Sequence, residues 1–94
     1  ITVIEKVFVG KNLHSALKLG EARGAAILAS TQMNIPLIQY STREIKQAVV
    51  GYGNASKNQI QFMIQHLLKI KNVSTDAADA LATAICYINK QKKY

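Results

Sequence analysis

Glu5, Asp76 and Asp79 are three of only five acidic residues in a 94-residue chain with twelve Lys and Arg and a formal net charge of +7. Glu5 lies inside the apolar run ITVIEKVFV, which reads as a buried strand. Asp76 and Asp79 sit three apart in STDAADALATAI, at the start of a helix, so both project from one face of its opening turn. Carboxylates offer hard oxygen ligands to a divalent cation, and the surrounding Lys and Arg suit phosphates. Carboxylates gathered in a basic chain are what metal-assisted cleavage of a nucleic acid needs. Each acid also has an ordinary structural role open to it. Asp at a helix start is stabilised by the macrodipole and the free N–H groups by ~0.3–1 kcal/mol with no metal. Glu5 can hold an edge position facing water, and Lys6 beside it must point to the opposite face.

The loop GYGNASK carries the second signal. Gly51 and Gly53 allow close backbone approach. Lys57 follows at a helix N-terminus, where N–H groups and an ammonium can jointly hold a phosphate. A plain helix–helix turn with a solvated lysine explains the same residues. The flanking helices mimic a helix-turn-helix, but the turn between them is too long. Tyr40 and Tyr52 can stack on bases, although packing or turn roles are the simpler account. His14 and His66 fall on different helices with no Cys or His at ligand spacing, so both read as surface or half-buried histidines. Cys86, the one cysteine, excludes an internal disulfide and reads as a small core hydrophobe.

Hydrophobic content of 49% indicates a globular chain rather than a disordered one. Its length suits one domain, burying ~60–65% of the unfolded surface. No run approaches the ~18–20 apolar residues of a membrane span, and the N-terminus lacks a signal-peptide pattern. The positive charge is spread along the chain apart from the tail KQKKY, which points to a polyanion meeting a surface rather than a single basic arm. The chain starts directly in a strand with no Met, turn or cap before it, so a truncated protein is expected.

The elements that must position these residues alternate. Residues 1–9 are β-branched and apolar, hence a strand. Gly10 breaks it, and Asn12 caps a helix from about Leu13 to Thr31. Ala16, Gly20 and Gly24 recur every four residues on that helix and leave a smooth stripe for tight helix–sheet or helix–helix packing, a dimer contact included. Asn34 and Pro36 interrupt the chain before LIQYS, a second strand. Ser41 with Glu44 forms a capping box for a helix from Thr42 to about Val50, and Ser56 with Gln59 a second for a helix from Lys57 to about Ile70. The inward face of the latter should carry Ile60, Met63, Ile64, Leu67 and Leu68, with Lys71-Asn72 ending it. Ser74 or Thr75 caps the last helix, from about Asp76 to Asn89. Strand, long crossover and strand imply a parallel pair in a right-handed βαβ unit. Two strands make no stable open sheet unaided, and the first is apolar on both faces, so further strands are expected beside it.

The stretches IEKVFVGKN, SALKLGEARGAAI, REIKQAVVGYGNASKNQ and DAADALATAI, in this order and spacing, closely resemble the RuvC family of Holliday-junction resolvases. The resemblance runs over nearly the whole chain. It implies an α/β, ribonuclease H-like fold, here a part with two parallel strands and about four helices in a single domain over residues 1–94. It further implies a bacterial, cytoplasmic homodimer that uses Mg²⁺, two ions per active site, to nick four-way DNA junctions at symmetric positions in recombination and repair. A branch-migration helicase complex is a further implied partner. By resemblance, Glu5 matches the family's strand glutamate, and Asp76 and Asp79 its C-terminal acidic pair. Glu5 and Asp79 become metal ligands, and Asp76 a ligand or the group orienting the attacking water. Lys46 and Lys57 match basic residues near the scissile phosphates, and Phe8 an aromatic at the junction centre. Lys11, Gly51 and Gly53 join the DNA-contacting set, and Ala16, Gly20 and Gly24 the dimer interface. The family's first catalytic aspartate, in an Asp-Pro-Gly strand, has no counterpart here, and Phe62 stands where many relatives carry histidine. This keeps two rivals open: a non-catalytic DNA-binding or dimerisation fragment, and a ribonuclease H-like nuclease with another substrate.

Overall fold

The computed structural model describes residues 1–6 and 13–92. Its elements are β1 (Thr2–Lys6), α1 (Leu13–Gln32), β2 (Leu37–Ser41), α2 (Thr42–Val50), α3 (Lys57–Leu68) and α4 (Thr75–Gln91). They form two compact units, Ile1–Tyr40 and Ser41–Tyr94.

In the first unit β1 and β2 pair as a parallel two-stranded sheet with α1 as the crossover. The Thr2 N–H donates to the Pro36 carbonyl at 2.8 Å. The buried Ser30 hydroxyl donates to the Ala26 carbonyl at 2.9 Å and so accepts from Thr2 Oγ1 at 2.7 Å. The Arg23 guanidinium donates to Gln39 Oε1. Polar side chains of α1 thus reach both strands. Asn34, at φ 55°, turns the chain out of α1 in the left-handed region that Asn tolerates. Thr2 to Glu5 are half-buried and Lys6 is exposed.

In the second unit both capping boxes form where the sequence places them. Ser41 Oγ accepts from the Glu44 N–H at 3.1 Å, while Glu44 Oε1 accepts from the Ser41 N–H at 3.0 Å. Ser56 and Gln59 repeat the exchange at 3.1 and 2.7 Å. Gly51 ends α2 at φ 85° and gives its N–H to the Gln47 carbonyl. This backbone region strains residues with a Cβ, so glycine is favoured by conformation, although the space around it is open.

The end of α3 departs from expectation. The helix stops at Leu68, with Lys69 as cap at φ 54°, rather than running to Ile70. Leu67 and Leu68 are exposed at 49% and 41% instead of facing inward. The left-handed step at Lys69 takes the chain out of the helix there.

Each of α2, α3 and α4 touches the other two. Their core is Ile45 and Val49 of α2, Ala55 of the intervening loop, Ile60 and Ile64 of α3, and Ala78, Ala82 and Cys86 of α4, all buried. Ala at two successive turns of α4 lets its partners approach closely. Cys86 is fully buried, as expected of a small core hydrophobe. Polar contacts also lock α4 to α2: Asn89 Nδ2 donates to the Ala48 carbonyl at 3.3 Å, and Lys90 Nζ lies 3.6 Å from Glu44 Oε2.

The hydrogen bond from the Ser41 N–H, with smaller help from the Ser41 hydroxyl and Lys90, holds the Glu44 carboxyl below its ordinary value of 4.5, against a weaker upward push from burial. A carboxyl lowered in the folded state contributes stability above its unfolded pKa and loses it as pH falls through the folded value. The melting temperature of the parent should therefore exceed that of Glu44→Gln at about pH 6, and the gap should narrow towards about pH 3. A gap that widens on acidification would contradict this.

Candidate active site

The acidic pair sits on α4, which opens at an ordered cap. Ser74 is the N-cap, and its Oγ accepts from the Ala77 N–H at 3.1 Å. Neither Asp76 nor Asp79 is therefore needed to cap this helix. Asp76 is exposed in the first turn, and Asp79 is half-buried one turn on. Beyond the first turn the macrodipole contributes little, so helix stabilisation is a weak account of Asp79. Among the described residues, the Asp76 and Asp79 side chains make no hydrogen bond or ion pair, although the chain carries twelve Lys and Arg. The Asp79 carbonyl accepts from the buried Thr83 hydroxyl at 2.8 Å, which leaves its carboxylate uncommitted. Two uncommitted carboxylates on one helix face are the hard-oxygen donor chemistry that Mg²⁺ takes.

The cations expected near the phosphate lie on α2 and α3. Lys57 opens α3 and is exposed, and Lys46 of α2 is half-buried. Among the described residues neither forms an ion pair. The loop before Lys57 is braced in a way the sequence does not announce. Arg43 of α2 donates to Asn54 Oδ1 at 2.8 Å, and its guanidinium lies where a Cβ on Gly53 would come within 3.1 Å. Gly53 is buried, so the close approach it permits is that of the Arg43 side chain.

Glu5 lies on β1 in the first unit, half-buried. Phe8 and Lys11 lie outside the described residues, as does the side chain of Ala16. Gly20 and Gly24 are exposed on α1, and among the described residues no atom beyond the helix's own neighbouring backbone stands within 4 Å of where their Cβ atoms would be. The tight packing that the stripe suggests has no partner at these two positions among the described residues. Within neither unit, among the described residues, do three His, Cys, Asp or Glu side chains gather at one point. Among the same residues no helix is long and apolar enough to cross a membrane. Gln61 and Gln65 of α3, which nothing in the sequence singles out, both bond to the segment that leads into α4.

The family model for crossover junction endodeoxyribonuclease RuvC matches residues 1–87. The chain belongs to the RuvC family. It is 52% identical over 90 residues to crossover junction endodeoxyribonuclease RuvC of Magnetococcus marinus, covering 95% of this chain and 50% of that protein. The Shewanella piezotolerans relative is 58% identical over 85 residues, covering 89% of this chain and 49% of its own. Among solved structures, Thermus thermophilus RuvC in complex with Holliday junction substrate superposes with a TM-score of 0.80 at 30% identity, over 94% of this chain and 55% of that one. The chain thus spans about half the length of the curated relatives it matches. The fold is the ribonuclease H-like α/β fold of that family, seen here as two parallel strands and four helices.

Proposed function

We propose that this chain supplies the larger part of the active site of a Mg²⁺-dependent endonuclease that nicks four-way DNA junctions in recombination and repair. The carrying observation is the uncommitted Asp76–Asp79 pair on α4 in a member of the RuvC family. A relative solved with Holliday junction substrate supports the choice of DNA over other polyanions. Glu5, Asp76 and Asp79 would hold the metal. When bound, it supplies a water activated at neutral pH and a positive charge beside the leaving oxygen. Asp76 would serve either as such a ligand or as the group that orients the attacking water. Lys46 and Lys57 hold the phosphate and the charge that develops on it. Arg43 braces the Gly51–Gly53 loop against which the DNA backbone would lie, with Phe8 and Lys11 as further DNA contacts.

The exposed Gly20 and Gly24 on α1, with Ala16, would meet a second copy, so that two sites act on one junction. A cytoplasmic setting and a branch-migration helicase partner follow from the same reading. The intact protein should nick an immobile four-way junction in Mg²⁺ at paired positions at least ~100-fold faster than the linear duplex of the same sequence, since only the junction lets two sites engage at once. Equal rates on both substrates would favour a ribonuclease H-like nuclease of other specificity. Binding without any nicking would favour a DNA-binding or dimerisation module.

A further inference from the structure

The acidic pair is carried by the opening turns of α4, so it is only as well placed as the segment that starts that helix. That segment is irregular. Lys69 at φ 54° and Asn72 at φ 57° both stand in the left-handed region, and neither is glycine. A loop of this kind needs partners for its backbone. Val73, the residue before the N-cap Ser74, finds both of its partners in side chains of α3. Its carbonyl accepts from Gln61 Nε2 at 2.6 Å, and its N–H donates to Gln65 Oε1 at 3.2 Å. Gln61 and Gln65 are four apart, hence on one face of α3, and both are half-buried. One amide acts as donor and the other as acceptor, so the two are not interchangeable.

We infer that Gln61 and Gln65 are positioning residues for the catalytic carboxylates. They clamp Val73 and thereby fix the first turn of α4, which places Asp76 directly and Asp79 one turn later. Partners that orient metal ligands without touching the metal are typically worth ~10–100-fold in metal affinity. The inference rests on the reading of Asp76 and Asp79 as metal ligands.

The two clamp bonds give opposite results for the same kind of substitution. Gln65→Glu keeps an acceptor for the Val73 N–H, whereas Gln61→Glu puts an acceptor against the Val73 carbonyl. The probe is Mn²⁺ alone, titrated into the intact protein while paramagnetic broadening of the Asp76 and Asp79 amide resonances is followed. Amide hydrogen exchange of Ala77, Ala78, Ala82 and Cys86 is measured in parallel. Gln61→Glu and Gln65→Leu should each raise the Mn²⁺ half-saturation ~10-fold. They should speed exchange at Ala77 and Ala78 and leave Ala82 and Cys86 unchanged. Gln65→Glu should return both readouts towards the parent. An added carboxylate acting only through its charge would instead tighten Mn²⁺ in Gln61→Glu, which overturns the clamp. Unchanged half-saturation with faster exchange, or exchange accelerated evenly along α4, also overturns it. Asp79→Asn should abolish the broadening. If it does not, the metal reading fails first, and the clamp falls with it.

Discussion

Asp79→Asn should remove junction nicking, by about 10²–10³-fold or more, while leaving junction binding intact. The folded chain gives no reason for a structural loss, because the Asp79 carboxylate has no hydrogen bond or ion pair among the described residues. The Thr83 hydroxyl bonds its backbone carbonyl, and Asn keeps that carbonyl. The melting temperature should therefore stay within about a degree or two of the parent, as for a substitution that removes no packing. Binding measured without divalent metal should be unchanged or slightly tighter, since the change removes a negative charge facing phosphates. A gel-shift titration and a nicking time course on one preparation separate the two effects. Nicking at the parental rate in Mg²⁺ would remove Asp79 from the catalytic set. Equal loss of nicking and binding would make it a residue of the DNA interface instead.

Local chemistry was the legible part of the sequence. The two capping boxes, Ser41 with Glu44 and Ser56 with Gln59, each need only four consecutive residues, and both formed as written. The start of α2 and the crossover helix between parallel strands were readable for the same reason. The end of α3 was not. Leu67, Leu68 and Ile70 extend the apolar spacing, and nothing in the type of Lys69 announces a left-handed step, which side chains with a Cβ normally avoid. Gly53 was legible as a point of close approach but not as a seat for Arg43, ten residues earlier on the helix that leads into its loop. The Gln61–Gln65 clamp was hidden likewise. It joins α3 to a residue beyond an irregular loop, and Gln on a polar helix face has no signature that separates a clamp from solvation. The acidic pair stood out because acids are scarce in this chain, which is a property of the sequence and needs no fold to be seen.

Ile64→Ala should cost about 2–5 kcal/mol, against about 0.5–1.5 for Ile64→Val. Ile64 is 0% exposed, at the centre of the three-helix unit, with Ile60 one turn before it and the small residues Ala78, Ala82 and Cys86 buried on α4. Buried alanines carry only a methyl group, with no rotamer to swing into a vacated space, so the cavity should persist and the cost should fall towards the upper part of that range. Small domains hold a total of about 5–15 kcal/mol, so such a loss brings the unit near its unfolding threshold. Denaturant unfolding should show a lower midpoint with an unchanged slope, because the surface exposed on unfolding is the same. The functional signature then differs from that of Asp79→Asn. Ile64 lies on α3 between the two glutamines that hold the entry to α4, so its loss should lower nicking through the folded fraction. At a temperature where Ile64→Ala is folded, its rate per molecule should return towards the parent, and it should fall steeply on warming. Asp79→Asn should be inactive at every temperature. A midpoint shift below that of Ile64→Val would show that Ile64 is not the packing centre of the helices that carry the acidic pair.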